Sequence, residues 1–357
     1  MKKLLAIFIG VVVFGALGIA TANFWLDPLN YSSWYHRKVA QEFEAGKNFA
    51  IYDPTIDYRG LRREHIRVMA RAPDVMLFSG SRFELVGPDL FPGRTFYNAF
   101  VQRDYFDDMM AITDILESNN RLPKNLIMSI RYVTFRPHEK RPEGYQWKMF
   151  IPEAAAMARK LNVEPPSTFD HFPWGHWIDL FSVPRLTHQL TVRLNDKGEG
   201  MRAVTASQLP DMDVLRADGS MSFSVEHSKA FTPEAARKGS AKKAADDSSK
   251  PITAPDPKLL AQYKALLEYL TSKGVNVAIA VTPQHPAYWN AVVETPYGTM
   301  LKGLEDDMRR LTTAAGAQFV GGFDPGKANC SEAEFRDFIH VGNDCLKNVF
   351  DQIKLKN

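Results

Sequence analysis

Cysteine is almost absent from this chain. Only Cys330 and Cys345 occur in 357 residues. That leaves room for one bridge at most, so a hydrophobic core must carry the fold. An excess of charge of one sign is also missing. Forty-four Lys and Arg stand against 41 Asp and Glu, a net charge of +3. No basic stripe interleaves with aromatics, which argues against a nucleic-acid partner. Metal-ligand spacing is lacking too. His171 and His176 match no zinc pattern and have no companion ligands, so neither a metal nor a cofactor is expected. The aromatic cluster around Trp174 and Trp177 admits two readings, sugar stacking or core packing. No internal repeat breaks the chain into arrays.

One long apolar run is present. Leu4 to Leu26 contains no charged residue. A bilayer core needs about 20 apolar residues. Lys2 and Lys3 precede the run and Asp27 follows it. Positive charge stays on the cytoplasmic side, so the body is expected in the periplasm or cell exterior. A cleaved signal peptide is the rival, because Ala20-Thr21-Ala22 has cleavage character. The run continues through Phe24, Trp25 and Leu26, which favours an uncleaved single-pass anchor. In an oxidising compartment Cys330 and Cys345 can pair, worth about 3 kcal/mol for a loop of that size. Two separate buried thiols are the alternative.

Residues 1–26 are thus read as anchor and 27–70 as a neck without clear period. Residues 71–357 are read as an α/β domain, with a flexible insertion over about 201–256. Val75–Phe78, Thr95–Phe100, Asn125–Ile130, Val275–Val281 and Ala317–Val320 read as strands. Tyr105–Leu116, Pro152–Leu161, Leu259–Leu270 and Met300–Ala314 read as helices, and another follows His340. Strands alternating with helices predict a doubly wound parallel sheet. Ala235–Pro255 is rich in Lys, Ala, Ser, Asp and Pro and reads as a loop.

Two remote segments carry the chemistry. Val75–Phe78 runs into Ser79-Gly80-Ser81-Arg82, the way an α/β sheet presents a nucleophile. Phe335-Arg336-Asp337-Phe338-Ile339-His340 supplies an Asp and a His three residues apart. A hydroxyl is a weak nucleophile until a base takes its proton. Ser81 is therefore the candidate nucleophile, His340 its base and Asp337 the orienting carboxylate. The plainer readings are a capping serine, a packed histidine and a capping aspartate. Arg82 reads either as an anion binder or as a partner for Glu84 or Asp89. Gln284 and His285 follow a strand into Pro286 and read as loop residues.

These blocks resemble the SGNH (GDSL-type) hydrolase superfamily, a flavodoxin-like three-layer fold. The closest likeness is to membrane-anchored extracytoplasmic proteins of the alginate O-acetylation and teichoic-acid D-alanylation type. Ser79-Gly80-Ser81-Arg82 resembles their first block, Phe96-Tyr97-Asn98 their second strand and Asp337-Phe338-Ile339-His340 their last block. Phe24-Trp25-Leu26-Asp27-Pro28 is similar as well. The likeness spans most of residues 1–134 and 257–357. It implies an acyltransferase or esterase acting on ester-linked acyl groups of an envelope or extracellular polysaccharide. It also implies an integral-membrane acyl-donor partner. The pattern departs in two places. No Gly follows Asn98 at the expected distance, and no Gly-x-Asn-Asp block precedes the His, since Gly342-Asn343-Asp344 lies after it. The oxyanion donors left to consider are the Ser81 or Arg82 N–H, the Asn98 amide and the Arg131 side chain. The missing blocks favour a second reading, a catalytically weak or inactive binding or assembly component of a polysaccharide system.

Overall fold

The computed structural model describes residues 2–26, 33–52, 56–137, 150–165, 178–194, 201–205 and 211–357. His171, Trp174, His176 and Trp177 lie outside these. Lys2–Leu26 forms helix α1, 25 residues long with a mean hydropathy of 2.6 over its apolar window. It is a candidate membrane span, and its side chains stand exposed apart from a few near the C-terminal end. Next come α2 (Ser33–Glu44), strand β1 (Asn48–Ile51) and α3 (Tyr58–Val68). The described part of the stretch read as a neck packs onto the domain. Val39, Phe43, Leu61 and Ile66 are buried in the main apolar cluster. Arg59 and Arg62, both fully buried, interrupt the apolar face of α3 and obscure its helical period.

The chain continues through β2 (Val75–Phe78), β3 (Phe96–Asn98), α4 (Phe106–Ser118), β4 (Asn125–Ser129), α5 (Ile151–Leu161) and α6 (Val183–Leu194). Three short strands follow: β5 (Met201–Val204), β6 (Val214–Leu215) and β7 (Met221–Ser222). Helices α7 (Val225–Lys229), α8 (Pro233–Ser249) and α9 (Pro257–Ser272) lead to β8 (Asn276–Val281). The last elements are α10 (Pro286–Val292), α11 (Pro296–Ala314), β9 (Gln318–Gly321) and α12 (Asn343–Phe350).

Five strands form one parallel sheet in the order β3-β2-β4-β8-β9. All five are strands expected from the sequence. Their apolar runs are continuous because both faces are covered. Met76, Phe78, Met128 and Ile279 face a cluster that includes Met109 of α4, Leu266 of α9 and Leu304 of α11. Val75, Leu77, Ile127 and Ala280 face the opposite cluster, with Phe83 and with Leu346, Val349 and Phe350 of α12.

A second, antiparallel sheet was not foreseen. Its order is β5-β1-β6-β7, so strands of 201–222 pair with β1 from the front of the chain. Strands of two to four residues are too short for alternation to register. The loop expected at Ala235–Pro255 is replaced over most of its length by α8. Composition misled here because alanine and lysine are also good helix formers. Thr232 caps the helix by accepting from the Ala235 N–H.

Buried arginines join the pieces. Arg59 grips Asp108 with two N–H···O bonds of 2.6 Å. Arg62 donates to the Phe100 carbonyl, the Tyr97 hydroxyl and the Gly219 carbonyl. It thereby ties α3 to the edge of the parallel sheet and to the 216–220 turn. Gly219 has φ of +82°, and a Cβ there would lie 2.1 Å from the Asn98 carbonyl oxygen, so only glycine fits.

Cys330 and Cys345 are joined in a disulfide across 15 residues. Replacing both by serine should cost about 3 kcal/mol of stability. A lower urea midpoint for the detergent-solubilised chain checks this, and an unchanged midpoint would refute it.

Candidate active site

Ser81 is delivered by the end of β2. The strand stops at Phe78, and a 3₁₀ turn spans Ser81–Phe83. Asn98, fully buried at the end of β3, holds that turn. It accepts from the Ser79 hydroxyl at 2.8 Å. Its amide donates to the carbonyls of Phe83 at 2.8 Å and Val86 at 3.1 Å. Both amide hydrogens are thus spent on the turn. Of the two roles open to Asn98, oxyanion donor or turn support, these contacts give it the turn.

Gly80 is required sterically. A Cβ there would sit 1.9 Å from Asp104 Oδ1. Asp104 is fully buried, and burial pushes its carboxyl up while Arg131 opposes the shift. Arg131 Nη2 lies 2.7 Å from that carboxylate and donates to the Asp104 carbonyl at 2.5 Å. Arg82 is buried and donates to Thr282 Oγ1 at 2.9 Å. Desolvation, then repulsion from Arg131, lowers its guanidinium to about 10. Its hydrogen-bond partner is therefore Thr282, neither of the acids considered from the sequence. The carboxylate–arginine arrangement around Asp104 was not legible, because no pattern links Asp104 to Gly80.

The Asp-His segment is closed at several levels. Phe335 pairs with Val341 across an antiparallel bridge, and Arg336 N–H donates to the His340 carbonyl at 2.8 Å. The disulfide joins the flanks of this loop. His285 N–H donates to the Phe338 carbonyl at 3.0 Å, and its ring lies edge-on to Phe335. His285 Nδ1 also accepts from the Ala287 N–H, so this histidine caps α10 and supports the loop. From outside, Lys243 of α8 lies 5.3 Å over the Phe338 ring, and Asp247 accepts from the Tyr288 hydroxyl at 2.7 Å.

These supports bring three side chains into line. His340 Nε2 lies 2.9 Å from Ser81 Oγ, across 259 residues of chain. His340 Nδ1 lies 2.6 Å from Asp337 Oδ2. Asp337 Oδ1 accepts the backbone N–H groups of Ile339 and His340, both at 2.8 Å. Burial pushes the Asp337 carboxyl up, but the His340 contact and the two backbone donors prevail and hold it at about 2. An ionised Asp337 assigns the ring proton to Nδ1 and leaves the Nε2 lone pair facing the Ser81 hydroxyl.

A cleft of about 410 Å³, reached by Arg336 of the Asp-His segment, is also lined by Arg216, Phe223, Phe231 and Asn343. Arg336 lies over the rings of Phe223 at 5.1 Å and Phe231 at 5.4 Å, and 3.7 Å from Glu84. No sequence signal marked this cluster, since its aromatics come from the segment between β7 and α8. Among the described residues no group of His, Cys, Asp and Glu has a metal-holding arrangement. The chain matches no protein-family model and no curated protein.

Burial raises the Glu84 carboxyl to about 7, against an ordinary value of 4.5. The folded state then keeps a proton that the unfolded chain has released, so stability falls as pH rises from about 4.5 to 7. Glu84→Gln should flatten that fall, by about 3 kcal/mol at most. Urea midpoints measured across this window check it. A wild-type midpoint that does not drop would refute it.

Proposed function

We propose that this is a membrane-anchored SGNH-like acyl-transfer protein of the doubly wound, flavodoxin type. The strand order supports the fold reading. Renumbered within the parallel sheet, it runs 2-1-3-4-5, the flavodoxin order. In such sheets ligands sit beyond the carboxyl ends of the strands, where Ser81, Arg131 and Thr282 lie. The observation that carries the functional reading is the Ser81–His340–Asp337 relay, with contacts of 2.9 and 2.6 Å.

Ser81 Oγ attacks the carbonyl carbon of an ester-linked acyl group, and His340 Nε2 takes the hydroxyl proton. Asp337 holds the tautomer and stabilises the imidazolium. The tetrahedral oxyanion is met by the Ser81 and Arg82 N–H groups, which the first residues of a helical turn leave unused. Arg131 adds positive charge nearby. The intermediate collapses, the His340 proton passes to the leaving alcohol, and an acyl-Ser81 remains. A second alcohol then takes the acyl group in transfer, or water takes it in hydrolysis. The resemblance supplies the substrate class, an envelope or extracellular polysaccharide, and an integral-membrane acyl donor as partner. Lys2 and Lys3 support an inner-membrane location with the body in the periplasm or outside the cell.

One observation favours the second reading, a weak or inactive assembly component. The Asn98 amide is fully committed to the turn, and Gly-x-Asn-Asp is missing. Losing one oxyanion donor costs about 10²–10³ in rate.

A fluorophosphonate probe separates the two. Labelling of the wild type should approach one per chain and vanish in Ser81→Ala. Hydrolysis of a p-nitrophenyl acetate probe should drop at least about 10³-fold in Ser81→Ala and in His340→Ala. A wild type that does not label, with unchanged membrane assembly in Ser81→Ala, would support the assembly reading.

A further inference from the structure

Outside α1, eight large apolar side chains stand exposed among the described residues, and five of them lie between 178 and 194. They are Ile178, Phe181, Val183, Leu190 and Leu194. In α6, Val183, Leu186, Leu190 and Leu194 recur at i, i+3, i+7 and i+11, which places them on one helix face. Val183 is 55% exposed, Leu190 43% and Leu194 83%. Gln189, on another face, is buried. Water is a poor partner for such a stripe, and a soluble domain rarely presents one without a reason.

The neighbour of this segment points to its occupant. Among the described residues, α6 and the turn before it pack chiefly against α1, the candidate span. Asn23, fully buried in the last turn of α1, donates to the carbonyls of Leu180 at 2.6 Å and Ser182 at 3.0 Å. A helix of 25 residues is about 37 Å long, against a hydrocarbon core of about 30 Å. Asn23, three residues from the end, therefore falls near the bilayer boundary. Its two bonds pin residues 180–182 at that depth. The exposed stripe is thus continuous with the lipid-facing surface of α1.

We propose that residues 178–194 form an interfacial element, with the Val183-Leu190-Leu194 face of α6 set among the lipid acyl chains. The short helix lies at the headgroup boundary, with Gln189 turned away from the lipid and the Thr187 hydroxyl, which falls within the stripe, donating to the Val183 carbonyl. A span alone lets the domain swivel about one axis. A second lipid contact, bonded to the span through Asn23, fixes the attitude of the domain to the membrane plane. This inference is independent of the acyl-transfer reading.

The test uses the full chain in phosphatidylethanolamine–phosphatidylglycerol vesicles. Val183→Cys, Leu190→Cys, Leu194→Cys and His188→Cys each carry one nitroxide label, the native cysteines being paired. Collision with oxygen should dominate at 183, 190 and 194, and collision with a water-soluble nickel complex at 188. Adding Leu190→Glu and Leu194→Glu should raise nickel access at position 183 several-fold while α1 stays embedded. Nickel dominance at all four positions would overturn the proposal. So would a stripe open to nickel in vesicles yet shielded in native membranes, which would assign its cover to a protein.

Discussion

Everything at the candidate site depends on one imidazole shared by two partners. His340 turns Nδ1 to Asp337 and Nε2 to Ser81, and neither contact means much without the other. The carboxylate selects the tautomer, and only that tautomer offers a lone pair to the hydroxyl. The cost of bringing the serine and the histidine together is met by local structures that need little of each other. Asn98 ties the serine turn into a knot. The Asx turn of Asp337, the 335–341 bridge and the disulfide close the histidine loop. The parallel sheet then has only to hold two preformed pieces in register.

Around this relay the protein buries an unusual amount of charge. Arg59, Arg62, Arg82 and Asp104 are all buried. Such groups are costly unless paired. Arg59 with Asp108, and Arg62 with three oxygen acceptors, are well satisfied and act as struts. The Arg82–Arg131–Asp104 group is different, with two cations meeting one carboxylate beside the serine turn. Glu84 and Arg336 lie on the other flank and join the Asp-His loop to the aromatic pair from the middle of the chain.

The middle of the chain is where sequence and structure part company. The antiparallel sheet pairs β1 with residues 150 or more positions away, and its shortest strands have two residues. Its stability comes from contacts such as Arg62 to Gly219, which no local pattern encodes. Helix α8 was masked by a composition shared between solvated loops and solvated helices. Asp247 and Lys243 give it a place by meeting Tyr288 and Phe338. Asn98 shows the same limit at a single residue. The sequence marks it as notable, and the fold decides that its amide is structural.

What could be read locally was read from local physics. The apolar run of α1, the five strands of the parallel sheet and the capacity of Ser81, Asp337 and His340 for proton transfer each rest on a few adjacent residues. Only the tertiary structure decided that the serine and histidine meet, that Asp104 excludes a side chain at Gly80, and that Asn23 joins 178–194 to α1. The division follows range. Hydrophobic period and turn chemistry act over a few residues and leave a mark in the order of the chain. Charge pairing and hydrogen bonding between distant segments depend on where the backbone goes, and they leave none.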